Sequence, residues 1–270
     1  MDVLLGKRCD LTVVGVGLRP GHLTHEAREA IRVADVVLSL MAGPMQSELV
    51  RLFARRAISL NDLYEDGLDR AVTYRRMVDR VLAEVRQGQS VCLAVYGHPG
   101  VFCQPAHAAI AEARAEGYSA TMLPGISAED ALFADLGIDP ADRGCQSFEA
   151  SQFLLCSKQW DPTSWLVLWQ VGVVGEGIYR HEFSSPGLPL LSRRLCEVYG
   201  ERHEGFLYYL PEVATLEPAI FPVALSALAE VEFEQLSTLA VPPLGGNQVD
   251  AEAVEALNWV RQGSRRTTDG

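Results

Sequence analysis

Short β-branched apolar runs, each ending near a glycine loop and followed by a helical stretch, constrain this chain more than any other feature. Residues 11–16 (LTVVGV), 35–40 (DVVLSL), 90–96 (SVCLAVY) and 118–123 (YSATML) have the length and composition of buried strands. Residues 24–34, 66–87 and 105–116 read as helices between them, with Thr24 as an N-cap and Gly88 and Gly117 as stops. Such alternation predicts a parallel sheet covered on both faces. Residues 127–136 read as a further helix capped by Ser127, and 138–144 (IDPADRG) as a turn-rich hinge. Beyond it, 148–155, 165–171, 205–210 and 233–239 read as strands of a second sheet, with helices at 188–199 and 222–229. The expected architecture is two α/β domains, 1–124 and 125–245, followed by a helix at 250–262 and a disordered end within 246–270.

The chain has 270 residues, a formal net charge of −12, 48% hydrophobic and 21% charged residues. That charge argues against a nucleic-acid partner, because phosphate contact needs clustered Lys and Arg. No apolar run approaches the length of a transmembrane helix, and residues 1–8 lack a secretory pattern, so the expected setting is cytoplasmic, away from membranes. The six cysteines form no C-x-x-C pair and are expected to be reduced thiols; the scattered histidines predict no metal.

Three loops at predicted strand ends carry the ligand-binding signal. The first is 15–21 (GVGLRPG), with Gly15, Gly17 and Pro20; the second is 96–102 (YGHPGVF); the third is 124–130 (PGISAED). Glycines at a strand end allow close approach of a ligand to the backbone. A dinucleotide fingerprint would need glycine in place of Pro20 and an acid closing the second strand, whereas Asp35 opens it, so NAD is the poorer reading. One such loop is compatible with a plain tight turn. Three in one domain predict a ligand crevice at the carboxyl ends of the strands.

In this order the three loops resemble those of the tetrapyrrole methylase superfamily over roughly residues 10–240. The resemblance implies S-adenosylmethionine (SAM) in a cleft between two domains of that type. It would be lined by Tyr96, Gly97, His98, Pro99, Gly100, Val101 and Phe102, by Ser127 and Ala128, and by Gln170, Val171 and Gly172 of the second domain. The phrases YGHPGVF, MLPGISAEDALFADLGIDP, GCQSFEAS and WQVGVVG resemble, more narrowly, the borosin peptide backbone α-N-methyltransferases. That similarity implies methylation of peptide amide nitrogens, a homodimer, and catalytic roles for Tyr64, Arg70, Tyr74 and Tyr96. The stretch after Gly246 has no run of Val, Ile or Leu, so the expected substrate is a precursor peptide on a separate chain.

Residues 64–74 (YEDGLDRAVTY) bear on that narrower resemblance. On a helix Arg70, Tyr74, Met77 and Val81 share one face. Met77 and Val81 belong on the packed side, so Arg70 and Tyr74 would face the protein. Desolvating a cation is costly without a partner or ligand. The alternative is an ion pair from Arg70 to Asp66 or Asp69, with Tyr74 as a core aromatic. Two other readings stay open. One is C-methylation of a carboxylate-rich tetrapyrrole recognised by Arg70, Arg75, Arg76 and Arg80; the other is a SAM-binding scaffold without catalysis.

Overall fold

β1 (Leu11–Gly15), β2 (Val36–Leu40), β3 (Ala57–Ser59), β4 (Val91–Val95) and β5 (Ala120–Leu123) form an all-parallel sheet in the order β3-β2-β4-β1-β5. The computed structural model describes residues 9–232, 234–246 and 249–257. Side chains alternate between the two faces, and both faces are covered, which is why these runs are apolar at nearly every position. Val14, Val37, Cys92 and Ala94 pack under α1 (His25–Val33) and α2 (Pro44–Phe53). Val13, Leu38, Leu93 and Val95 pack under α3 (Arg70–Arg86) and α4 (Gln104–Ala115). Each fully buried leucine here is worth about 1.5–3 kcal/mol over leaving it in water.

The second sheet is mixed. β6 (Cys145–Glu149), β7 (Trp165–Trp169), β8 (Glu204–Tyr209), β9 (Ala219–Ala224) and β10 (Thr238–Val241) run in the order β6-β7-β10-β8-β9. β6 and β7 are parallel; the other pairs are antiparallel. Leu132 of α5 (Ala128–Leu136) packs on one face against Val167, Trp169 and Tyr208. On the other face α7 (Ala150–Leu155) and α8 (Leu188–Tyr199) bring Phe153, Leu191 and Leu195 onto Leu166, Leu168 and Leu239. The short α6 (Pro140–Arg143) lies inside the expected hinge, capped by Asp139, which accepts from the Ala141 N–H.

Several expected elements differ. α3 begins at Arg70, four residues later than the sequence pattern implied, because Gly67 adopts φ +79° and Asp69 caps the helix by accepting from the Ala71 N–H. The expected strand over 148–155 is the end of β6 followed by α7, since Glu149 accepts from the Ser151 and Gln152 N–H groups and starts a helix. The expected helix over 222–229 is the end of β9 and a 3₁₀ turn, and the strand expected at 233–239 begins only at Thr238. α2 and β3 were not anticipated. In β8 and just after it Leu207, Tyr208 and Leu210 are buried, whereas Phe221 of β9 is exposed. α9 (Ala251–Ala256) is capped by Asp250; the rest of the expected final helix, and the tail expected to be disordered, lie outside the described residues. No helix among the described residues is long and apolar enough to cross a membrane.

Candidate active site

The carboxyl ends of β1, β4 and β5 meet through glycine. A Cβ on Gly15 would lie 2.2 Å from the Gly97 carbonyl oxygen and 3.3 Å from the Gly125 Cα. The three glycine loops therefore touch through backbone atoms, and Val16 N–H and Gly17 N–H donate to the carbonyls of Val95 and Gly97. Gly15, Gly17 and Pro20 do not line the cavity that lies above these loops, and Gly15 serves loop-to-loop packing instead.

Above these loops, between the two sheets, lies a cavity of about 370 Å³, within the range of small-molecule sites. Tyr64, Arg70, Tyr74, Tyr96, Gly97, His98, Val101, Phe102, Ser127, Ala128 and Gln170 all line it. Pro99, Gly100, Val171 and Gly172 do not. Val171 belongs to the core of the second domain, and a Cβ on Gly172 would strike the carbonyl oxygens of Glu234 and Gln235. Lining residues outside the quoted motifs include Met41, Asn61, Tyr179 and Thr238, while Trp169 opens the phrase WQVGVVG without an assigned role. Thr238 is hidden within an ordinary apolar strand. Asn61 grips the Met41 backbone, accepting from its N–H at 3.1 Å and donating to its carbonyl at 2.8 Å.

Arg70 and Tyr74 occupy the first turns of α3, while Met77 and Val81 further along are buried, as the helical spacing required. No carboxylate among the described residues pairs with Arg70. Asp66 accepts from the His181 N–H at 2.9 Å and Asp69 caps the helix at 2.7 Å. The Arg70 Nε is buried without a hydrogen-bond partner. Its neighbours on the helix are all paired: Arg75 with Asp79 and Glu112, Arg76 with Glu65, and Arg80 with Asp62.

Burial pushes the Tyr64 and Tyr96 hydroxyls well above the usual tyrosine range, with Tyr74 adding to the shift at Tyr64 and Tyr209 and Glu212 to that at Tyr96. Both therefore remain neutral phenols that can donate a hydrogen bond. His98 Nδ1 accepts from the Gly100 N–H at 2.9 Å, which leaves Nε2 to carry the proton of the neutral ring. Phe102 and Gln170, from opposite domains, both adopt left-handed backbone conformations (φ +51° and +59°), and the Phe102 ring lies 6.0 Å from that of Trp169. Strained non-glycine backbone gathers at ligand sites, where the surrounding structure sustains it.

The cavity walls suit SAM. Trp169, Phe102 and Val101 offer apolar faces, and Ser127, Gln170, Thr238 and His98 offer polar groups. The orphaned Arg70 Nε adds a cation held ready inside.

Tetrapyrrole (Corrin/Porphyrin) Methylases match residues 10–203. The methyltransferase/ribosomally synthesized cyclic peptide dendrothelin A precursor of Dendrothele bispora is 35% identical over 94% of this chain and 62% of its own length. The corresponding gymnopeptides precursor of Gymnopus fusipes is 38% identical over 86% of this chain and 57% of its own length. The chain thus spans about three fifths of these relatives. In fold it is similar to uroporphyrin-III-C-methyltransferase from Thermus thermophilus (TM-score 0.61, 21% identity, 87% of this chain and 93% of that one). It is also similar to diphthine synthase (TM-score 0.59, 19% identity, 88% and 91%). With a matching family region that takes in all of the first sheet and the first two strands of the second, the chain belongs to the tetrapyrrole (corrin/porphyrin) methylase family.

Proposed function

We propose that this chain is a SAM-dependent methyltransferase acting on backbone amide nitrogens of a ribosomally made peptide. The observation that carries the reading is Arg70, which has no carboxylate partner among the described residues and lines the cavity with four tyrosines, Tyr64, Tyr74, Tyr96 and Tyr179, on a helix whose other arginines are tied to carboxylates. Recognition of a carboxylate-rich tetrapyrrole would call on Arg75, Arg76 and Arg80, which their acids already occupy. The curated relatives named as both methyltransferase and peptide precursor support the peptide reading. In them the precursor is part of the same polypeptide. Residues 246–270 here contain no cluster of Val, Ile and Leu, so an apolar methylated segment belongs to sequence outside the 270 residues. Presentation in trans is the arrangement we propose, with the enzyme as a homodimer.

An amide nitrogen is a poor nucleophile because its lone pair is delocalised into the carbonyl, the same delocalisation that sets a rotation barrier of about 18–20 kcal/mol. The site has to remove the N–H proton and support negative charge on the oxygen. When bound, SAM supplies a methyl group on a sulfonium, with a neutral thioether as leaving group. Tyr74, entering the step as a phenolate, takes the amide proton and becomes a phenol, directly or as the last group of a relay. The Arg70 guanidinium, one turn away on the same face of α3, is the cation opposite that anion. Tyr64 and Tyr96, held neutral by burial, donate toward the amide oxygen as charge develops there. Tyr96, His98, Phe102, Ser127, Ala128 and Gln170 hold the cofactor.

The test uses a synthetic peptide with an apolar segment, SAM and purified protein. Methylation is followed by mass spectrometry and SAM binding by calorimetry. Tyr74→Phe and Arg70→Ala are expected to bind SAM as the wild type does and to lose methyl transfer by about 10²–10⁴-fold. Wild-type turnover in both variants would remove the assignment. Transfer to a reduced tetrapyrrole, with none to any peptide, would replace the substrate.

A further inference from the structure

We propose that Tyr179 is a positioning residue for Tyr64. It reaches across from the second domain and fixes the Tyr64 ring, so this side of the site is complete only when the two domains are engaged. The inference deepens the amide-methylation reading and rests on it for the role of Tyr64.

Tyr64 packs against the core of the first domain with Leu63 and Tyr74, and its loop is tied to α3 by the Glu65–Arg76 and Asp62–Arg80 ion pairs. Its N–H donates to the Asn61 carbonyl at 3.2 Å, and the chain then runs through 65–69, including the left-handed Gly67, before α3 begins. The second domain adds a further restraint on the ring. The Tyr179 ring stacks on Tyr64 with centroids 4.7 Å apart and planes at 28°. The Tyr179 backbone is pinned to the same loop at both ends: its N–H donates to the Leu68 carbonyl at 3.0 Å, and its carbonyl accepts from the Gly67 N–H at 2.8 Å. Ile178 forms a β-bridge with Asp69, and the His181 N–H donates to the Asp66 carboxylate at 2.9 Å. The His181 ring meets Tyr179 edge-on at 5.5 Å, bracing it from another side. A stacked ring carried on a doubly hydrogen-bonded strap has little freedom, and it passes that restraint to the phenol it covers. Both tyrosines line the cavity.

The test places 3-fluorotyrosine at position 64 and reads its fluorine resonance alongside methyl transfer in Y179A, Y179L and Y179F. Y179A and Y179L are expected to move or broaden the resonance. They should also lower kcat by roughly tenfold to a hundredfold, leaving SAM affinity and peptide KM close to wild type. Y179F keeps the stacking ring and is expected to restore most of both signals. Melting temperatures separate loss of positioning from loss of fold, and Y179L keeps apolar bulk where Y179A does not. An unchanged Tyr64 resonance in Y179A and Y179L overturns the proposal. So does Y179F as impaired as Y179A, which would assign the role to the Tyr179 hydroxyl. If wild-type protein methylates no peptide, the functional reading fails while the fluorine comparison still decides whether Tyr179 positions Tyr64.

Discussion

A methyl group added at position 15 would sit 2.2 Å from a backbone oxygen of the next loop, a contact that only displacement of one loop can relieve. Gly15→Ala should therefore cost about 1–3 kcal/mol, the usual range for overpacking a closed site, measured by urea denaturation. SAM affinity should fall as well, because Gly97 and the cavity-lining loop would have to shift. At this scale much was legible in advance. The spacing of Arg70, Tyr74, Met77 and Val81 requires one shared face, and the four residues do share it. The glycines of 15–21 mark a place of close approach, but the partner is another loop of the same chain, and nothing local in a sequence distinguishes these two uses. Phe102 and Gln170 carried no warning of their left-handed backbones, since bulky residues adopt that conformation only when distant contacts impose it.

Among the elements, α2 shows how a helix start can be only half visible in its own segment, where Pro44 at the first helical position is the local signal. Gly43 has no side chain to cap the helix. The cap comes from Glu212, after β8 in the second domain, whose carboxylate accepts from the Gln46 N–H at 2.5 Å. Arg19 holds the same loop by donating to the Pro211 and Leu216 carbonyls at 2.9 and 2.6 Å. Glu212→Ala should cost about 0.5–2 kcal/mol, the range for losing an N-cap, and should lower the melting temperature with methyl transfer falling alongside, because α2 follows the Met41–Ala42 wall of the cavity. By contrast the helices capped from within, by Thr24 and Ser127, were readable from the sequence. The second sheet was read less well. β6 and β9 both hand over within a residue or two to helical turns, and apolar composition alone does not mark such a junction.

For the molecule as a whole, buried phenols tie stability to alkaline pH. Burial is the largest cause at Tyr64, Tyr96 and Tyr208, which lie above the ordinary tyrosine range, and Tyr199 is pushed up to about 12. Each holds its proton more tightly folded than unfolded. Its contribution is therefore complete below the unfolded value of about 10 and is lost as pH rises toward the folded value. The melting temperature should be level up to about pH 9.5 and fall progressively above about pH 10; a curve that stayed flat through that interval would contradict the burial of these groups. The Gly15–Gly97–Gly125 contact has a further consequence. Three loops keyed together by main-chain atoms cannot flex one at a time, so the floor of the cavity behaves as a single plate. Room for a bulky guest must then come from the opposite wall, and residues exchanged there would tune which guests enter without disturbing the plate beneath.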